Sequence, residues 1–156
     1  MRRHLTGVIA GLSTFAALAG AKADAPPPGT IVLGPPTDVM LEASIGSEGE
    51  PVLAMTEVPL ALGGYYRVNF VCPETAAEAG GLHLEADELL ANSHLRILSA
   101  GGMEFYLQGL TFRAIECDEA GTARFSFHPM RRGVYDIRVL DQNEPPREAV
   151  AKVVVE

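Results

Sequence analysis

The chain of 156 residues has no tryptophan, only two cysteines and, after its first 23 residues, no long apolar run. It also lacks the motifs of common catalytic sites: there is no Gly-x-Ser-x-Gly, no His-Glu-x-x-His and no phosphate-binding glycine loop before a helix. Carboxylates are numerous but scattered, so no pair indicates general acid–base catalysis. The sequence therefore predicts a protein that is not an enzyme.

Residues 1–23 have the three parts of a secretory signal peptide. Arg2, Arg3 and His4 are basic, the segment Val8–Ala19 is apolar, and Ala21–Ala23 has the small-x-small pattern of a cleavage site. The apolar run is shorter than the roughly 20 residues of a membrane span, although an uncleaved anchor or a buried helix is the alternative. Cleavage after residue 23 predicts a periplasmic or secreted protein with no stable membrane anchor.

The exported chain is strongly acidic. Residues 1–23 contain three of the 12 Lys and Arg residues and none of the 20 Asp and Glu residues, which leaves 9 basic against 20 acidic residues and a net charge of −11. Such a surface repels phosphate backbones, so nucleic acid and anionic membranes are disfavoured as partners, and we expect no nucleic-acid partner. A metal cation or a cationic periplasmic protein remains permitted, and solubility alone is the simplest use of most of these charges.

Beyond the signal segment, residues 24–33 form a proline-rich spacer and residues 34–156 a single domain. Clear period-2 alternation of apolar and polar residues predicts strands at Tyr65–Val71, Thr122–Phe127, Val134–Val139 and 151–155. Weaker signals predict strands at Thr30–Leu33, Pro51–Met55, Leu95–Leu98, Glu104–Leu107 and Thr111–Glu116. Helical signal is confined to Glu74–Ala79 and Asp87–Ala91. Short strands about ten residues apart favour an all-β, antiparallel Greek-key β-sandwich with one or two helical turns.

The two cysteines, Cys72 and Cys117, each lie at the end of a predicted strand. In an oxidising compartment two cysteines most simply pair, and a bridge here closes a loop of 46 residues. Free thiols and a soft-metal site are the alternatives.

Histidines and their neighbours suggest one candidate metal site. His83 and Glu85 are two residues apart on an extended stretch, so their side chains share a direction, and His94 follows within a loop's reach. With Met103, they could bind a divalent metal or copper. The alternative is a set of solvated histidines on an acidic surface.

Three segments together resemble the cupredoxin-like domains of exported bacterial copper proteins, which have the plastocyanin and azurin fold. They are Tyr65–Val71, Leu82–Leu95 and Gly121–Val139. In that family a strand like Tyr66–Phe70 leads to a His-x-Phe-x-Ala-Pro-Glu-Phe-Phe segment, and a later strand ends Phe-x-Pro before a Pro-Gly-x-Tyr turn. This chain reads FHPMRRGVY over Phe127–Tyr135. The resemblance covers residues 59–140 and implies a cupredoxin-like fold.

The ligands of the family's copper centre do not carry over. Leu82 stands where the first histidine ligand belongs, and His83 comes one position later, on the opposite face of a strand. The stretch Asp136–Asn143, where the remaining ligands would follow, has no Cys, His or Met. A type 1 centre needs two histidine nitrogens and a thiolate, so the resemblance implies neither such a centre nor electron transfer.

His128 lies between Phe127 and Pro129 of the matched motif, where alternation predicts an outward-facing surface residue. Two functions remain open. The first is copper handling through a surface site that uses His83, Glu85, His94, Met103 or His128. The second is a metal-free sandwich that serves as an interaction or accessory module for another periplasmic protein.

Overall fold

A computed structural model describes residues 30–101 and 111–156, with the backbone of 103–106 between them. The predicted signal peptide, residues 1–23, and residues 24–29 of the spacer lie outside the described residues. The strands are β1 Thr37–Ile45, β2 Pro51–Leu53, β3 Glu57–Leu60, β4 Tyr66–Cys72, β5 Leu82–Glu85, β6 Ser93–Ala100, β7 Met103–Tyr106, β8 Ala114–Cys117, β9 Gly121–Pro129, β10 Gly133–Asp141 and β11 Glu148–Val155. A 3-10 turn at Ala76–Ala79 and a short helix, α1, at Asp87–Ala91 complete the domain.

The strands form two sheets, which confirms the predicted all-β sandwich. One sheet has six strands in the order β2-β1-β4-β9-β6-β7, and the other has five in the order β3-β11-β10-β5-β8. Strands adjacent in a sheet are seldom adjacent in sequence, as in Greek-key sandwiches. Most pairs are antiparallel, but β1 with β4 and β3 with β11 are parallel. Alternation does not reveal strand direction, so the sequence could not predict these two pairs.

The core lies between the two sheets and is made by the inward faces of the alternating strands. Phe70, Phe125 and Phe127 come from the six-stranded sheet, and Leu84 and Ile137 face them from the five-stranded sheet. Each of the five is at most 1% exposed. Burying one such side chain stabilises the fold by about 1.5–3 kcal/mol, so this layer holds the sheets face to face.

A disulfide between Cys72 and Cys117 links the two sheets, which confirms the predicted pairing. Cys72 ends β4 in the six-stranded sheet and Cys117 ends β8 in the five-stranded sheet, with their Cα atoms 6.3 Å apart. The bridge therefore closes one end of the sandwich covalently, where the edge strand β8 pairs with β5 and with no other described strand.

The weak strand predicted at Thr30–Leu33 is wrong. This stretch has no strand pairing and is joined to the domain by a hydrogen bond from the Val32 N–H to the Gly63 carbonyl, 2.9 Å long. The chain enters the sheet later, at Thr37, because Pro35 and Pro36 cannot donate to a strand ladder. Among the described residues, no helix is long and apolar enough to cross a membrane.

Candidate functional site

The predicted metal ligands are divided between the two sheets. His83 and Glu85 lie on β5 of the five-stranded sheet, whereas His94 on β6 and His128 on β9 belong to the six-stranded sheet. Met103 begins β7 beside β6. The described part of the chain holds no cluster of three or more His, Cys, Asp or Glu side chains with metal-binding geometry. Of the predicted residues, the structure brings together His94 and His128, on adjacent strands of the six-stranded sheet. It leaves His83 and Glu85 on the five-stranded sheet.

His83 and Glu85 each lie beside a charged side chain, although the contact of the His83 Nε2 atom does not have the geometry of a hydrogen bond. The His83 Nε2 atom lies 3.2 Å from a carboxylate oxygen of Glu116, and Glu85 lies 3.4 Å from the Arg138 guanidinium. His83, together with the side-chain amide of Gln142, holds the pKa of Glu116 below its ordinary value. Both contacts lie on the outer face of the five-stranded sheet, where ion pairs are screened by water.

The expectation that His128 is a surface residue is wrong. Its side chain is completely buried, because the Tyr65 ring stacks on the imidazole with centroids 4.6 Å apart. Alternation correctly places His128 on the outer face of the sheet. It cannot show that the loop before β4 folds over that face.

The environment of His128 fixes its tautomer. Nδ1 lies 3.0 Å from the Gly64 carbonyl and 3.3 Å from that of Gly63. A carbonyl only accepts, so Nδ1 carries the proton and donates it. The left-handed backbone of Gly63, with φ of 71°, forms the turn that presents these carbonyls. Nε2 is left with a lone pair, and in the described part of the chain it is buried without a hydrogen-bond partner.

Burial and hydrogen bonding act in opposite directions on His128. Desolvation is the larger effect and lowers its pKa, while the bonds to the Gly63 and Gly64 carbonyls raise it. Nearby Arg96 and His94 lower the pKa further. The ring is therefore neutral at physiological pH, the form in which imidazole binds metals.

His94 lies directly beside His128 on the neighbouring strand. The two residues are register partners between β6 and β9, and their ring centroids are 6.2 Å apart. His94 is exposed, whereas His128 is buried. The Arg96 guanidinium lies 5.4 Å from the centroid of the Tyr65 ring, so a cation borders this pair. We refer to His94 and His128 as the histidine pair.

A polar network crosses the same outer face, further along β9. Arg67 donates to both Asp38 carboxylate oxygens, at 2.6 and 2.8 Å, and the Asn69 amide nitrogen donates to one of them at 2.7 Å. The Asn69 amide oxygen in turn accepts from Arg124 Nε at 3.0 Å. Beside this network is a groove of about 400 Å³ lined by Tyr65, Arg67, Ile97, Ser99, Arg124 and Ser126.

We expect replacement of Asp38 by Asn to change the free energy of unfolding by less than about 1 kcal/mol. The hydrogen bonds from Arg67 and Asn69 lower the pKa of Asp38 to about 2, but Arg67 and Asp38 are 40% and 45% exposed, so water screens their attraction. Urea unfolding at neutral pH measures the difference. A loss of several kcal/mol would show that the network supports the sheet itself.

The end of the sandwich at the β10–β11 loop is organised by a buried carboxylate. Asp141 is the register partner of Leu82 and its side chain is fully buried. It accepts from the Arg147 backbone N–H at 2.8 Å, from Arg147 Nε at 2.7 Å and from the Asn143 amide at 2.6 Å. Arg147 then donates to the carbonyls of Glu48 and Gly49 in the β1–β2 turn. This network joins the β10–β11 loop to the β1–β2 turn.

The strand order and the core define the class of the protein as a two-sheet all-β sandwich with one disulfide. No protein-family profile matches the sequence. No curated protein matches it either.

Several solved structures are similar to parts of the chain at low sequence identity. Amebosin is 15% identical over 79% of this chain and 100% of its own, with a TM-score of 0.37. A blue copper oxidase from Nitrosomonas europaea is 10% identical over 76% of this chain, with a TM-score of 0.46, and the match spans 43% of that oxidase. A cysteine protease inhibitor from Entamoeba histolytica is 8% identical over 76% of this chain and 95% of its own, with a TM-score of 0.33. None of these similarities bears on activity.

Sequence reasoning missed most of the residues that shape the outer face of the six-stranded sheet. Alternation along β4 places Arg67 and Asn69 on the same face, and alternation along β9 places Arg124 and Ser126 there. That signal was available, but only the pairing of β4 with β9 shows that the two sets are neighbours. Tyr65 precedes its strand, so no pattern predicts its stacking on His128.

Proposed function

We propose that this is an exported, cupredoxin-like β-sandwich protein that binds a copper ion at the histidine pair rather than at a type 1 centre. The observation that carries the proposal is the Nε2 atom of His128, a buried nitrogen without a partner in the described part of the chain, beside the exposed ring of His94. A buried polar atom without a hydrogen bond destabilises the folded protein, so its burial needs an explanation. A metal bond to Nε2 supplies one.

The hydrogen-bonding state of His128 fits this role. Histidine ligands commonly donate their second ring N–H to a carbonyl, which fixes the tautomer and the ring orientation. His128 does so through Nδ1, towards the Gly63 and Gly64 carbonyls. His94, which is exposed, is the ligand that an incoming ion meets first. Water completes the coordination of a site with two protein nitrogens.

The chemistry of the two ligands favours copper among divalent metals. Imidazole nitrogens suit copper, nickel and zinc, and affinity for first-row divalent ions is highest for Cu²⁺. The net charge of −11 attracts cations to the protein in general. The nearby Arg96 opposes this locally, so we expect discrimination against weakly bound ions such as Mg²⁺.

Calorimetric titration of residues 24–156 with Cu²⁺ tests the proposal. We expect one site of micromolar affinity or tighter, and we expect His94→Ala to weaken it about tenfold or more, because one of two nitrogen ligands is lost. His83→Ala is the matched control, since it removes a histidine from the opposite sheet, and it should leave the affinity within about twofold. Binding weaker than micromolar, or equal loss in the two variants, would contradict the proposal.

A metal-free accessory module is the second candidate. The buried Asp141–Arg147 network favours it, because protein side chains alone organise the loop that carries copper ligands in cupredoxins. In this case the protein acts by contacting another periplasmic protein. The same Cu²⁺ titration separates the two candidates, since the accessory module binds no copper with micromolar affinity.

A further inference from the structure

We infer that the groove on the outer face of the six-stranded sheet binds an organic carboxylate whose apolar body lies against Tyr65 and Ile97. The groove has a volume of about 400 Å³, which is within the size range of small-molecule sites. This site adjoins the histidine pair through Tyr65, which stacks on His128 and also lines the groove, but its charged group is different and it does not depend on copper binding.

The cationic group of the site is Arg124. Within the described residues it has no carboxylate within 4.0 Å, whereas Arg67 beside it is neutralised by Asp38. Arg124 uses Nε to donate to Asn69, and no hydrogen bond from its two terminal nitrogens to another described residue is present. Those two nitrogens form the planar fork that recognises a carboxylate through two parallel hydrogen bonds.

The neighbouring side chains hold Arg124 in one orientation. Asp38 accepts from the amide nitrogen of Asn69, which turns the amide oxygen of Asn69 towards Arg124. Arg67 anchors the Asp38 carboxylate with two further hydrogen bonds. The guanidinium is thus positioned before any ligand arrives, so less conformational entropy is lost when a carboxylate binds.

The walls of the groove suit a ligand with both a polar and an apolar part. Ser99 is the register partner of Arg124, and Ser126 is the register partner of Ile97, so a hydroxyl and an apolar side chain are close to the guanidinium. The Tyr65 hydroxyl lies 3.2 Å from Ser126 Oγ, which holds the phenol ring at the edge of the groove. A carboxylate on Arg124 would place an attached ring or chain against Ile97 and Tyr65.

Nuclear magnetic resonance titration of residues 24–156 tests this site with four probes. Benzoate represents a free organic acid, N-acetylphenylalanine represents the carboxyl end of a peptide, benzyl alcohol is a neutral analogue, and inorganic phosphate is an anion without an apolar body. We expect saturable shifts of the Ser99, Arg124 and Ser126 amides with either carboxylate, and weaker binding of benzyl alcohol and phosphate. The carboxylate that binds with the higher affinity shows whether the natural ligand is a free organic acid or the carboxyl end of a peptide.

Replacing Arg124 by Gln should weaken carboxylate binding about tenfold or more, because the charged fork is removed. Arg132→Gln is the matched control, since Arg132 is exposed in the turn between β9 and β10 and should change the affinity less than about twofold. Added salt should also weaken binding to the unaltered protein. Equal binding of benzoate and benzyl alcohol, tighter binding of phosphate, or an unchanged affinity in the Arg124 variant would overturn the inference.

Discussion

Replacing both Cys72 and Cys117 by alanine should lower the free energy of unfolding by about 3–4 kcal/mol. The bridge spans a sequence separation of 45 residues, so removing it frees a long loop in the unfolded chain. In the folded protein it joins the end of β4 to the edge strand β8, which otherwise has β5 as its neighbour in the sheet. Both effects lower the free energy of unfolding, the first through the unfolded chain and the second through the folded protein.

Urea unfolding of the double variant and of the unaltered protein, each with and without reductant, measures this effect. We expect reductant to destabilise the unaltered protein to the level of the variant and to leave the variant unchanged. A difference of less than about 1 kcal/mol between the oxidised protein and the variant would contradict a stabilising role for the bridge.

Asp141→Asn should cost about 3 kcal/mol of stability at neutral pH. The Asp141 side chain is fully buried, and it accepts hydrogen bonds from the backbone and the guanidinium of Arg147. Removing the charge of Asp141 leaves the Arg147 guanidinium without its carboxylate partner. Because Arg147 is 41% exposed and regains water, the loss is at the lower end of the range for buried pairs. The contacts of Arg147 with Glu48 and Gly49 weaken as well.

The stabilisation from Asp141 should depend on pH in the acid range. Burial alone raises the pKa of Asp141, but the hydrogen bonds from Arg147 and Asn143 outweigh it and lower the pKa from 3.8 to about 2. The unfolded chain therefore binds a proton at a higher pH than the folded protein does. This contribution, about 2 kcal/mol, is fully present above about pH 4 and is lost as the pH falls towards 2.

Asp136→Asn is the matched control for this prediction. Asp136 pairs with Lys152 on the surface, where the two side chains are 44% and 52% exposed, so we expect a change of less than about 1 kcal/mol. Unfolding curves between pH 2 and pH 7 compare the two variants. If Asp141→Asn were no more destabilising than Asp136→Asn, the loop network would not support the fold.

The sequence predicted the parts of the fold that depend on local pattern. Alternation located β4, β9, β10 and β11 to within a few residues, and α1 was predicted with its observed bounds, Asp87–Ala91. The disulfide followed from residue type and expected compartment. The strands and α1 depend on short-range sequence, and the disulfide is the simplest pairing because the chain has only two cysteines. One sequence is therefore enough to predict these features.

The first long strand, β1 at Thr37–Ile45, was missed. Val39, Leu41 and Ala43 do alternate and are buried, but Met40 between them is also apolar, which blurs the pattern. The pairing of β1 with β4 is parallel and joins residues 29 positions apart, such as Thr37 and Tyr66. Pairing of this kind is decided by the whole sandwich, so it cannot be predicted from the strand itself.

The candidate site was predicted only in part for the same reason. His94 and His128 were both named as possible ligands, but their proximity depends on the register of β6 with β9. The buried state of His128 depends on Tyr65 and on the Gly63–Gly64 turn, which come from another part of the chain. Residue type identified the candidates, and tertiary structure selected the pair.

The most direct test of the copper proposal uses the three histidines that lie beyond residue 23: His83, His94 and His128. Their ring protons give few enough signals in a proton magnetic resonance spectrum of residues 24–156 to be assigned by single substitution. Adding substoichiometric Cu²⁺ should broaden the His94 and His128 signals together and leave the His83 signal sharp, because a paramagnetic ion acts on the rings nearest to it. Broadening of His83 first, or equal broadening of all three, would contradict binding at the histidine pair.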